Sequence, residues 1–234
     1  MSQTNSDTYE DLGCSLVARN TNRYGQVFDI VSIHTPSGDL KSQIYTLVDR
    51  TGKEDFLTKY IVGDNEESWR SYVLCQLSSA FDPKSDGKKV ASGLNVWAAI
   101  LEGKVRSLMT FTDLISSAEY ISEAAEYGMQ MAATASEEIK KFTDNELGPW
   151  DEVAAQRYLG KRKFPKAIVL NSLATAKSDR CRGYAKSLVS KLNDYSSQQK
   201  KAVFVVADQH SVSAMASHPF SFRVQADRSE AENL

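Results

Sequence analysis

Arg180-Cys181-Arg182-Gly183-Tyr184-Ala185 gathers two guanidiniums, a thiol and a glycine into one short stretch. A glycine between cationic side chains lets backbone N–H groups approach an anion closely, and a helix starting there adds the positive end of its dipole. The ligand that suits such a stretch is a phosphate or pyrophosphate. Residues 161–201 carry eleven Lys or Arg against two acids, Asp179 and Asp194, in a chain whose formal net charge is −2. A cationic island on an acidic chain points to a local anionic ligand, whereas a protein that coats nucleic acid is more often basic overall. An RNA-binding βαβ domain fits less well still, because the island has few aromatic residues for stacking bases, mainly Tyr184.

The elements around the stretch must position it. Ala167 to Thr175 is an apolar run that reads as a buried strand. After the glycine, Ala185, Leu188, Val189 and Leu192 fall at helical spacing. Residues 202–208 then begin with Ala-Val-Phe-Val-Val-Ala, a second buried strand. The order is strand, basic glycine loop, helix, strand; the plainest reading is a βαβ crossover with a basic helix start.

The phrase Leu173-Ala174-Thr175, followed by Arg180-x-x-Gly183-Tyr184-Ala185 and Leu188, resembles the acetyl-CoA signature of the GNAT N-acetyltransferase superfamily over about residues 164–224. The resemblance implies an α/β fold: a GNAT-like mixed twisted sheet with helices on both faces and a helical insertion before the CoA-binding strand. It implies acetyl-CoA as cosubstrate and no metal. Backbone near Leu173, Ala174 and Thr175 would hold the pantetheine arm. The amides of Arg182, Gly183, Tyr184 and Ala185 would hold the pyrophosphate, with Arg180 at the loop start, Cys181 inside the loop, and Lys177 and Lys186 near the adenosine phosphates. The expected reaction moves an acetyl group to a primary amine of a small molecule. A neutral amine attacks, so a base or a water chain must take its proton.

Departures from the family pattern bear on that chemistry. The strand offers Asn171 and Ser172, which can hold a water but are poor bases. In Met215-Ala216-Ser217-His218-Pro219-Phe220, Met215 stands where many members carry a tyrosine acid. His210 or His218 is the remaining candidate for proton transfer, an ordinary loop histidine being the plainer reading. Asn171, Ser172 and His218 are therefore the catalytic candidates. The rival function is a GNAT-like module that binds CoA or another anionic partner with weak catalysis. The Leu-Ala-Thr phrase and the helical insertion look most like the fungal small-molecule branch of the superfamily.

The rest of the chain sets the frame. Its 234 residues, 41% hydrophobic and 25% charged, suit a single globular domain. No apolar run approaches a membrane span, and the polar, acidic start is unlike a signal peptide, so the expected setting is cytoplasmic, without membrane or nucleic-acid partners. Cys14, Cys75 and Cys181 have the spacing of neither a disulfide framework nor a zinc site. Cys181 sits between two arginines at a helix start, which favours thiolate; an inert motif position is the plainer reading. Residues 1–12 read as a disordered tail and 13–234 as one domain. Cys14 to Ala18 reads as a strand, and 24–62 mixes apolar patches with turn signals at Pro36-Ser37-Gly38-Asp39 and Thr51-Gly52-Lys53. Asp64 is the expected cap of a helix to Phe81 with Trp69, Tyr72, Val73 and Leu77 inward. Leu94–Leu101 and Val105–Phe111 read as a hairpin around Glu102-Gly103-Lys104. The insertion, 113–160, reads as a long helix over 113–142 and a short one over 151–159.

Overall fold

A computed structural model of the chain describes residues 9–81, 94–113, 135–142 and 167–205, with residues 145 and 157 singly. Six strands form one sheet in chain order: β1 (Cys14–Thr21), β2 (Val27–Ile33), β3 (Leu94–Leu101), β4 (Lys104–Asp113), β5 (Ile168–Thr175) and β6 (Val203–Val205). Neighbours are antiparallel from β1 to β5, and β5 and β6 are parallel. A parallel pair cannot be joined by a tight turn. The crossover here is a helix, α5 (Tyr184–Gln199). Among the described residues the other helices are α1 (Gly38–Glu54), α2 (Phe56–Val62) and α3 (Glu66–Phe81) between β2 and β3, and α4 (Glu137–Phe142).

Helices cover both faces. On one, α1 and α3 pack Ile44, Leu47, Val48, Val73 and Leu77 onto Val31, Val96, Ala98, Ile100 and Leu108. On the other, Tyr184, Leu188 and Leu192 of α5 pack onto Phe28, Ile30, Trp97, Ala99, Met109 and Phe111. Successive β3 residues alternate between the two clusters, as strand geometry requires. Both faces are covered, so Val96–Leu101 of β3 is an unbroken apolar run. The α/β fold, a mixed sheet with helices on both faces, is the one the acetyl-CoA signature implied.

The β3–β4 hairpin turns at Glu102 and Gly103, both with positive φ (54° and 71°). Two left-handed central residues match the twist of a tight hairpin. Residues 24–62 resolve into β2, α1 and α2. Ser37-Gly38-Asp39, a turn signal in the sequence, opens α1. Gly52 lies within α1 because a Cβ there would come 2.9 Å from Tyr72 Cε1 and 3.1 Å from Trp69; its job is the close approach of α1 and α3.

Other expectations are corrected. The cap of α3 is Asn65, one residue past Asp64: its Oδ1 accepts from the N–H groups of Glu67 (2.8 Å) and Ser68 (3.2 Å). Trp69, Val73 and Leu77 are buried as expected, and Tyr72 is half-buried. Residues 9–12, expected to belong to the tail, are ordered: a helical turn starts at Tyr9, whose Oη donates to Asp29 Oδ2 at 2.7 Å, and residues 1–8 lie outside the described residues. Asp113 is the last residue of β4, paired with Ile168, and Ala135 and Ser136 are not helical, so 113–142 is not one continuous helix. On α5 the buried stripe begins at Tyr184, with Ala185 only half-buried. Residues 114–134, the expected helix 151–159 apart from Arg157, and the C-terminal phrase from Met215 to Phe220 lie outside the described residues.

Candidate functional site

After Thr175 the chain is tied to the start of β4: the Ala176 N–H donates to the Arg106 carbonyl at 3.1 Å. A single 3-10 turn, Lys177–Asp179, follows. Asp179 anchors it from inside, only 4% exposed. Its Oδ2 accepts from Ser178 Oγ (3.1 Å) and Arg106 Nη1 (3.4 Å), and Arg182 Nε stands 3.9 Å from Oδ1. A buried carboxylate needs such partners.

The turn then reaches two left-handed residues, Cys181 (φ 59°) and Gly183 (φ 97°, ψ −1°). Gly183 is the N-cap of α5, and no side chain caps that end. The first-turn N–H groups of a helix have no intrahelical acceptor; here helical bonding begins with Ser187 N–H to Gly183 O at 3.0 Å. A Cβ on Gly183 would meet nothing within 4 Å, so the space beside the N-cap residue is open. An uncapped positive helix end beside open space can take an anion on backbone donors.

The basic residues divide into two groups. Arg180 pairs with Glu54 at the end of α1, and its Nε donates to Thr175 O at 3.4 Å. Arg182 is held toward Asp179, Lys191 toward Asp194 (3.9 Å), and Lys201 binds Asp113 at 2.5 Å. Lys177 and Lys186 are exposed and make no ion pair among the described residues. Among the described residues Arg180, Arg182, Lys191 and Lys201 are therefore compensated, while Lys177 and Lys186 flank the loop without an ion pair.

Beneath the loop, β4 and β5 are stitched by side-chain hydroxyls. Ser107 Oγ donates to Ala174 O (2.8 Å) and meets Thr175 Oγ1 (2.9 Å). Thr110 Oγ1 meets Ser172 Oγ at 2.7 Å, and Asn171 Nδ2 donates to Thr112 Oγ1 at 2.6 Å. Ser107, Thr110 and Thr112 are buried. The pairing jumps from Thr110↔Ser172 to Phe111↔Leu170, which makes Asn171 the extra residue of a β-bulge. Thr110 and Thr112 are two apart on β4 and share a face. The bulge thus turns the consecutive side chains of Asn171 and Ser172 to that same face.

The structure brings Asn171 and Ser172 together. It also sets Leu173, Ala174 and Thr175 at the carboxyl end of β5, directly before the loop of Arg180–Lys186. The side chain of Tyr184 is buried: it meets Phe28 edge to face at 4.9 Å, and its Oη accepts from Asn22 Nδ2 at 3.0 Å. Only its amide faces the helix end. Cys181 is exposed, whereas burial pushes the Cys14 thiol up to about 11. His210 and His218 lie outside the described residues. Sequence reasoning missed Ser107, Thr110 and Thr112, along with Glu54 and Asn22. A usable signal was present for the seam: adjacent polar Asn171-Ser172 interrupts an apolar strand, as a bulge does.

No protein-family model and no curated protein matches the chain. Among solved structures it is similar to an aminoglycoside acetyltransferase, meta-AAC0020, from an uncultured soil metagenomic sample. In complex with trehalose that structure shows 14% identity and a TM-score of 0.45 over 86% of this chain and 92% of that one. In complex with sisomicin the identity is 12% at the same coverage and TM-score. A ribosomal-protein-alanine N-acetyltransferase from Brucella melitensis biovar Abortus 2308 shows 10% identity and a TM-score of 0.43, over 86% of this chain and 94% of that one.

Proposed function

We propose that this chain is an acetyl-CoA-dependent N-acetyltransferase of GNAT type acting on a primary amine of a small molecule in the cytoplasm. One observation carries the reading: a left-handed glycine opens an uncapped helix at the carboxyl end of a bulged strand whose next neighbour is parallel. That unit offers unpaired backbone donors for a pyrophosphate, and the adjoining backbone of Leu173, Ala174 and Thr175 for the pantetheine arm. Arg180, Cys181, Arg182, Gly183, Tyr184 and Ala185 form the anion loop, with Lys186 and Lys177 at its rim. The proposal stands at the level of the superfamily and leaves out the fungal branch.

In the reaction, the amine nitrogen bonds to the thioester carbonyl carbon, the C–S bond breaks, and the amine proton leaves for solvent or the departing sulfur. CoA thiolate has the ordinary thiol pKa of about 8.5 and departs without full protonation. Asn171 and Ser172 carry no basic group at neutral pH. Their part is to orient the amine or a water, held in place by Thr112 and Thr110. His218 keeps its candidacy for proton transfer. A carboxylate-free seam also supports the alternative, a module that binds CoA or another anionic partner and turns it over weakly. Free-thiol release from acetyl-CoA across a panel of amines separates the two. Amine-dependent release supports the transferase; CoA binding without such release supports the module.

A further inference from the structure

The tip between β1 and β2 leans on the anion loop although the two lie far apart in sequence. The Arg23 N–H donates to the Arg182 carbonyl at 3.3 Å, and Asn22 Nδ2 donates to Tyr184 Oη at 3.0 Å. Asn22, 6% exposed, also donates to Gln26 Oε1 (2.9 Å) and accepts from the N–H groups of Tyr24 (2.9 Å) and Gln26 (3.0 Å). One buried amide thus fixes the shape of the tip and its attachment to the start of α5. The tip presents Tyr24, 58% exposed, the most exposed large hydrophobic side chain among the described residues. Single exposed rings are ordinary. This one has two guanidiniums from separate segments against it: Arg23 Cζ lies 4.7 Å from the ring centroid and Arg182 Cζ 5.7 Å. Arg23 Nη2 also donates to Tyr24 Oη.

We infer that this tip is the nucleotide subsite, with Tyr24 stacking on the adenine ring and Arg23 and Arg182 holding the phosphates beside it. The inference rests on the reading that CoA is the cosubstrate. Tyrosine offers a flat face for a base, and guanidinium serves both as a stacking plane and as a fork for phosphate. Adenine on the ring replaces one π contact by another, and the guanidinium it displaces turns to phosphate. Arg182 belongs both to the tip's cluster and to the loop, so a nucleotide whose pyrophosphate sits on the α5 amides brings its adenosine to the tip. The tip is fixed before the ligand arrives, which lowers the ordering cost of binding.

The test is isothermal titration of the wild type, Tyr24→Phe, Tyr24→Ala and Arg23→Ala with adenosine 3′,5′-bisphosphate, CoA and 4′-phosphopantetheine. Circular dichroism checks the fold of each variant. Tyr24→Ala is expected to weaken the bisphosphate and CoA by about tenfold, and Tyr24→Phe to stay within about threefold of wild type. Arg23→Ala is expected to weaken the same two ligands. Phosphopantetheine, which has no adenosine, is expected to bind all four proteins alike. Undiminished bisphosphate affinity in folded Tyr24→Ala overturns the inference. So does a wild type that does not bind the bisphosphate, or an equal loss of phosphopantetheine, which would mean that the tip only props the loop. Bisphosphate binding that depends on Tyr24, with no turnover of acetyl-CoA, leaves the subsite standing and refutes the transferase reading instead.

Discussion

Asn171 to Thr175 and Arg180 to Lys186 belong to one strand–loop–helix unit, and they use polar groups in opposite ways. In the seam below, the buried hydroxyls of Ser107, Thr110 and Thr112 all have partners on β5 at 2.9 Å or less. In the loop above, the glycine N-cap leaves the end of α5 without a side-chain cap. Paired hydroxyls hold a shape, whereas backbone donors with no side-chain cap can take an acceptor from outside the helix. On the proposed reading, the seam supplies rigidity and orientation and the loop supplies anion binding.

The comparison breaks most sharply at Gly183. Gly183→Asp puts a carboxylate and a Cβ at the helix end, in a left-handed conformation that L residues adopt at a cost. CoA affinity is expected to fall by about 100-fold or more from strain and like charge together. Titration calorimetry on the folded variant reads it, and unchanged affinity removes the loop from the binding site. In the seam, Thr110→Val leaves Ser172 Oγ without its partner. Stability is expected to fall by about 1–3 kcal/mol, measured by urea unfolding, with CoA affinity nearly unchanged. A variant that loses CoA affinity and keeps its stability would reverse the two roles.

The loop was legible in the sequence, whereas of the seam only the β5 side, Asn171 and Ser172, left a signal and the β4 side did not, for a physical reason. Glycine, arginine and an apolar run are local signals, and the elements they predicted formed as β5 and α5. The Glu102-Gly103 hairpin is local too. The seam depends on register across two strands 60 residues apart, and no single segment records that pairing. The same holds for Gly52, a turn residue by local rules and a helix contact by tertiary packing. Glu54, from a region without a clear reading, meets Arg180 only because α1 crosses the sheet. Asn22 reaches Tyr184 across 162 residues of sequence.

A smaller effect sharpens the electrostatic side of the contrast. Lys177 and Lys186 act through charge at an exposed rim, so raising salt toward 1 M, where the screening length is about 3 Å, should weaken CoA severalfold. CoA lacking its 3′-phosphate should respond less steeply. Equal salt responses of the two ligands would take the lysines out of phosphate recognition.

The smallest expected effect lies within the β1–β2 hairpin, at Asp29, which pairs with Arg19. Burial raises its pKa, but hydrogen bonds from Arg19 and Tyr9 outweigh burial and hold it below the ordinary carboxylate value. Its stabilisation is therefore complete above about pH 4 and lost as pH falls through the folded-state value. The same contact, with burial as the larger cause, raises the Tyr9 phenol, so stability should also decline above about pH 10. Thermal melts across pH should show both limbs, and Asp29→Asn should flatten the acid one. An acid limb unchanged in that variant would place its origin elsewhere.

The central claim is that the backbone at the start of α5 takes the pyrophosphate of CoA, and amide-resolved NMR during a CoA titration addresses it directly. The account predicts that the N–H resonances of Arg182, Gly183, Tyr184 and Ala185 move most, with Thr110 and Thr112 moving little. Shifts confined to another surface, such as the groove lined by Tyr9, Leu12, Gln43 and Gly103, with a silent Gly183, would contradict it.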